Sequence, residues 1–219
     1  MENVTDRTSN PFGMRPPCER PCSEEVAAVF GYGDPNADFH VIGDHPDIHG
    51  GANTGVPFTD SRAGEAIQRT LFETGFASAP YTAEPELDDC FLSYLHMCCP
   101  PDGRDPSGNA YGDMERFFDA ELRAIAAHVL LPVGPRAMEY VIEHYTAQRE
   151  RIEIDMDGLH ASEIRGSGFL VVPVQEPTDW EEGDGQRLID SLLAIRGSDY
   201  RRTADLSRFL GSDDLYFVR

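Results

Sequence analysis

Lysine is absent from the sequence: all eighteen basic side chains are arginine, set against thirty-nine acidic ones for a formal net charge of −21. Long apolar runs are absent too. No stretch of eighteen such residues occurs, so no segment reads as a membrane-spanning helix. The N-terminus, MENVTDRTSN, lacks the apolar core of a signal peptide, which makes the cytoplasm the expected location. Cysteine is scarce, with five in 219 residues. They fall at 18, 22, 90, 98 and 99, too unevenly for a secreted disulfide framework. In a reducing compartment, CERPC and HMCCPP read as metal ligands or free thiols.

The acidity does not signal disorder, because 40% of the residues are hydrophobic and aromatics are present. It reads instead as a surface kept soluble at very high salt, as in the cytosol of an extreme halophile. An acidic balance ordinarily argues against nucleic acid. In molar salt, however, the Debye length is only ~3 Å, so repulsion from DNA is screened and binding rests on local contacts.

Residues 1–28 read as a proline-rich polar arm carrying a cysteine pair, 29–196 as one domain, and 197–219 as a tail. Arg196, Arg201, Arg202 and Arg208 in and beside that tail form a possible local basic patch. Four short apolar runs, DFHVIG, CFLSYLHM, HVLLPVG and GFLVVPV, are bounded by turn residues and read as buried strands. Between them AGEAIQRTLFETGF, DMERFFDAELRAIAA and PRAMEYVIEHYTAQRERI carry helical spacing. The alternation predicts a three-layer α/β/α domain around a four-stranded parallel sheet. Ligands in such sheets sit beyond the carboxyl ends of the strands. Polar loops follow three of the strands directly. The longest, VIGDHPDIHGGANTGVPFTDSRAG, holds five glycines, two histidines and three aspartates, more than a mere connection needs.

Three of these segments resemble the uracil-DNA glycosylase superfamily, specifically its iron–sulfur branches of thermophiles and archaea. IHGGANTGVPFTDSRAG is similar to the first-motif loop H-G-x-N-R-T-G-R-x-F-T-G-D-x-S-G. HMCCPPDGRDP resembles K-C-R-P-P-x-N-R-x-P. VPVQEPTDW stands where the superfamily has H-P-S. The resemblance implies hydrolysis of the N-glycosidic bond of uracil or another deaminated base in DNA, or else a catalytically degenerate relative that binds nucleic acid. A flipped base must be gripped by its face and read at its edge. The resemblance gives the face to Phe58 and the edge position to Tyr94, with Gly43 and Pro46 lining the base at the same strand end. A carboxylate, Asp44 or Asp60, would orient water or steady an oxocarbenium-like sugar. Glu176, at the superfamily's histidine position, or His45 would handle the leaving group. Arg104 and Thr178 are the implied DNA contacts. The same likeness implies a 4Fe–4S cluster on Cys18, Cys22 and Cys98. Its fourth ligand position falls on Met114, leaving Cys99 as the substitute.

Overall fold

Side chains along each buried strand alternate between two faces, and this alternation decides where the helices pack. The computed structural model describes residues 13–100 and 104–207. Its strands are β1 (Tyr32–Gly33), β2 (Phe39–Gly43), β3 (Cys90–Tyr94), β4 (Val129–Pro132), β5 (Ile164–Arg165) and β6 (Leu170–Val171). They form one sheet in the order β1-β3-β2-β4-β6-β5. The four strands expected from the sequence, β2, β3, β4 and β6, pair in parallel, and two-residue antiparallel strands close the edges.

Phe39, Val41, Leu131 and Val172 face one side, where Ile67 and Leu71 of α2 (Arg62–Glu73) and Leu188, Leu192 and Ile195 of α6 (Asp184–Arg196) cover them. Ile42, Leu130 and Val171 face the other. There they meet Phe118 and Leu122 of α3 (Gly108–Ile125) and Met138 and Val141 of α4 (Gly134–Tyr145). A chain that leaves central β2 for β3 on one side and then returns to β4 on the other has its topological switch point between β2 and β4. Ligands gather beyond the strand ends at such points.

The helix boundaries differ from the sequence reading for local reasons. α3 starts before Asp113 because the Ser107 side chain accepts the Ala110 N–H at 3.3 Å as an N-cap. α4 stops at Tyr145, where Thr146 turns extended and its hydroxyl donates back to the Ile142 carbonyl at 2.7 Å. The sequence reading passed over α6 and α7 (Tyr200–Ser207). Leu188, Leu192 and Ile195 do stand at helical spacing, but charged neighbours surround them.

Two of the tail-region arginines expected in a basic patch serve the fold instead. Arg201 binds Asp38, whose carboxylate also takes the Tyr200 hydroxyl at 2.9 Å and faces His128 at 3.0 Å, docking α7 under the sheet. Burial pushes the Asp38 pKa up, but the bonds from Arg201, Tyr200 and His128 outweigh it and hold the value low. Arg196 stacks 4.4 Å over the Phe76 ring and donates to the Thr74 carbonyl at the end of α2.

The arm is fastened covalently. Disulfides Cys18–Cys98 and Cys22–Cys99 tie it to the segment after β3, with Cα–Cα distances of 5.4 and 5.0 Å. These are the four cysteines that the sequence reading offered as thiols or metal ligands. Partners separated by 80 and 77 residues cannot be paired from local spacing. Closing one loop of that length restrains the unfolded chain by about 4 kcal/mol in the chain-entropy model. The second bridge, its ends close in sequence to those of the first, then closes only a short ring and adds less. Cys90 remains free and buried. Alkylation of the denatured, unreduced protein should therefore label one cysteine, and all five after reduction. Five labels before reduction, with iron bound to the native protein, would overturn the pairing.

Under β1 the core holds two ionisable groups. Glu121 of α3 accepts the Gly31 N–H at 2.8 Å through Oε1, while Oε2 is buried with no partner. Burial drives its pKa from 4.5 to about 8. His40, bonded to Ser93 at 2.7 Å, is pushed down to about 3 by burial and stays neutral. Between pH 4.5 and 8 the unfolded chain ionises Glu121 and the native state does not. The contribution of Glu121 to stability should therefore fall as pH rises through that window, by on the order of 5 kcal/mol, while the depressed pKa of His40 acts in the opposite sense below 6.5. Glu121→Gln keeps the bond to Gly31 without the titration. Denaturant midpoints across this range should find the variant equal to the parent at the acid end and more stable at the alkaline end. Parallel curves would contradict the assignment.

Candidate active site

Gly43 ends β2 because three rings crowd it. A Cβ there would lie 2.7 Å from His49 Nδ1 and from Phe58 Cζ, and 2.8 Å from Tyr94 Cδ1. β3 continues pairing past Tyr94, with Leu95 N–H on the Gly43 carbonyl and His96 N–H on the Asp44 carbonyl, both at 2.9 Å. Asp44 is thereby fixed at the switch point. Its carboxylate accepts the Tyr111 hydroxyl and faces the Arg136 guanidinium at 3.7 Å. Arg136 also lies 4.7 Å over the Tyr111 ring. The sequence reading named neither residue. Arg136 had a signal, since it lies in the first turn after β4 and hence at the ligand-binding rim. Tyr111 is read only from the packing of α3.

His45 and Pro46 follow, Pro46 opening α1 (Pro46–His49) at a position that needs no N–H donor. His45 is 2% exposed, yet neither ring nitrogen has a hydrogen-bond partner. Its Nε2 lies 3.8 Å from the Asp105 carboxylate. Burial, partly countered by Asp44 and Asp47, lowers its pKa and keeps the imidazole neutral.

The glycine-rich loop folds inward. Its N–H groups are largely used within the loop: Gly50 bonds Pro46 at 2.7 Å, Gly51 bonds Thr59 at 2.7 Å and Gly55 bonds Gly51 at 2.8 Å. Phe58 sits at φ 57°, a left-handed position uncommon for a residue with a bulky side chain. It is held there by its N–H on the Tyr94 hydroxyl at 2.7 Å and its carbonyl on Gln68 at 2.8 Å. The Tyr94 hydroxyl in turn donates to the Gly50 carbonyl at 3.0 Å, so Tyr94 locks the loop and its hydroxyl is not turned to a base edge.

His49, the second histidine of the loop and not among the candidates picked from the sequence, lies at the centre. Asp44 N–H donates to Nδ1 at 3.0 Å, so Nε2 carries the proton and donates to Glu176 Oε2 at 3.0 Å. Its ring centroid is 5.3 Å from Phe58 and 6.0 Å from Tyr94. Glu176 belongs to the segment after β6, which is anchored by the Trp180 indole on the Gln175 carbonyl at 2.9 Å. Phe58, Asp44, His45 and Glu176 thus come together, joined through His49.

Asp60 does not join them. It is exposed, and its carboxylate takes Asn53 at 2.5 Å. Ser61 caps α2, accepting Gly64 N–H at 3.0 Å and donating to the His49 carbonyl at 2.7 Å. Arg104 and Thr178 are exposed on the loops after β3 and β6.

A 4Fe–4S cluster needs four thiolates. Here Cys18, Cys22, Cys98 and Cys99 are bonded in pairs. Among the described residues, no group of three or more His, Cys, Asp or Glu is placed to hold a metal ion. Met114 packs beside Cys18, Met97 and Cys98 and offers only a thioether. Bonded in these pairs, the four thiols are not available as cluster ligands. Among the described residues no helix is long and apolar enough to cross a membrane.

Comparison with known proteins agrees with this geometry. A family model described as the uracil DNA glycosylase superfamily matches residues 30–184, from before β1 into the start of α6. A type-5 uracil-DNA glycosylase of Pyrobaculum aerophilum is 23% identical over 168 residues, 75% of this chain and 71% of that protein. One of Thermus thermophilus is 29% identical over 121 residues, 53% of this chain and 55% of the relative. A type-4 enzyme of Saccharolobus solfataricus is 25% identical over 154 residues, 68% of this chain and 65% of the relative. With more than half its length matched and its polar loops gathered at one sheet rim, the chain belongs to the uracil DNA glycosylase superfamily.

Proposed function

We propose that the chain hydrolyses the N-glycosidic bond of uracil or another deaminated base in DNA. One observation carries this reading: a buried, clamped Asp44 stands beside His45, a buried imidazole with both nitrogens unpartnered. A carboxylate so fixed can orient water toward a sugar carbon and steady the positive charge that grows there. A neutral imidazole supplies one N–H for the charge that develops on the departing base. Tyr111 and Arg136 hold Asp44 from outside the reacting atoms, and are positioning residues. Arg104 and Thr178 are the proposed backbone contacts on the strand. On the acidic surface of a halophile, that binding would persist in molar salt.

A second reading, strand binding without hydrolysis, is favoured by Glu176. At the position where the superfamily carries a histidine, this carboxylate is engaged with His49 rather than facing open space.

Release of free base from a uracil-containing oligonucleotide at multimolar salt tests the pair. Asp44→Asn keeps an acceptor for Tyr111 and should slow release by roughly 10²–10⁴-fold, the usual range for a positioned acid–base group, with little change in melting temperature. Phe58→Ala is a poor control, because emptying a buried aromatic site costs about 3–5 kcal/mol. Strand binding with no base release at enzyme excess would favour the second reading over the first.

A further inference from the structure

The space that should receive a base is already filled. A bound pyrimidine needs an aromatic face, a backbone N–H for a ring acceptor and an acceptor for a ring N–H. His49 takes all three at once: the Phe58 face, the Asp44 N–H and a Glu176 oxygen. Phe58, Tyr94 and His49 are each 0% exposed, so no second ring fits beside the first.

Resting on the reading of this loop as a base cradle, we propose that His49 is its internal ligand, a ring that an incoming nucleobase must displace and that sets which bases enter. The backbone beneath it is fixed. Its carbonyl takes the Ser61 hydroxyl at 2.7 Å, and a Cβ on Gly50 would fall 1.9 Å from the Thr59 carbonyl. Release therefore occurs by rotation of the side chain and not by movement of α1. Glu176 can follow it, being 18% exposed on a separate loop, with Oε1 buried and unpartnered. Exchange is favourable only for a ring that restores the three interactions His49 gives up. The cradle thereby discriminates by chemistry and rejects bases that lack a matched acceptor and N–H.

The test is binding of free uracil, followed by calorimetry or NMR, to the parent and to His49→Ala. The variant should bind uracil at least tenfold more tightly, and added imidazole should compete by refilling the vacated place. Equal affinities, or imidazole without effect, would overturn the proposal. If the alanine variant does not fold, His49→Leu keeps the space filled but holds neither the Asp44 N–H nor Glu176, and it should move affinity in the same direction by a smaller factor. An unchanged affinity there would likewise count against it. Base release from the oligonucleotide is measured in parallel. Tighter uracil binding with no release by any form leaves His49 as internal ligand and removes the glycosylase reading. Loss of release in His49→Ala with no gain in uracil affinity would assign His49 to the chemistry instead.

Discussion

The imidazole of His49 accepts the Asp44 N–H and donates to Glu176, both at 3.0 Å, and much else at the rim follows from those two bonds. They join the loop after β2 to the segment after β6. They also fix which nitrogen of the ring carries its proton. With the ring in place, Phe58 and Tyr94 pack against it, and the Tyr94 hydroxyl can bridge Phe58 N–H and the Gly50 carbonyl. A left-handed phenylalanine is tolerable only where its surroundings over-determine it. The two hydrogen bonds on its peptide groups and the three-ring contact provide that constraint.

Arginine without lysine has a visible use in this fold. Arg196 stacks on Phe76, Arg136 on Tyr111 and Arg116 on Phe117. Arg201 reaches Asp38 through two guanidinium nitrogens. A planar fork does this while remaining weakly hydrated, whereas an ammonium would have to shed a tighter water shell. In a chain of net charge −21, the few cations are thus employed where geometry matters. Others pair with surface carboxylates, Arg149 with Glu143 and Arg187 with Asp184.

The sheet was legible because Phe39–Gly43, Cys90–Tyr94, Val129–Pro132 and Leu170–Val171 lie inside short apolar runs bounded by turns. The rim was legible in outline, since alternating strands and helices place polar loops at one end. Asp44, His45 and Phe58 could be picked out as strand-end residues or by likeness of motif. Glu176 was legible in the same way, but the contacts among these residues were not. His49 and Glu176 are separated by 127 residues, and the cysteine pairs by about eighty. Such contacts arise only when the sheet assembles. Asp60 was misleading for a related reason. In a chain this acidic, an aspartate within the right motif carries little information, and here it ends on the surface with Asn53.

The buried polar atoms without partners fall into two groups, and the contrast separates structure from function. His40 Nδ1 and Glu121 Oε2 lie in the interior under β1, where proton uptake or loss relieves the cost and neither group faces a cleft. His45 Nδ1, His45 Nε2 and Glu176 Oε1 lie on the loops at the strand ends instead. A buried donor or acceptor left unmatched costs its desolvation free energy, which an incoming partner would recover. If the rim evolved only to stay closed, a second bond to Glu176 or an apolar residue at position 45 would stabilise it further. The unmatched atoms beside a filled cradle instead describe a site arranged for an exchange of rings. On the exchange proposed above, His49 occupies the cradle in the resting state, and Glu176 takes a new partner when a base replaces it.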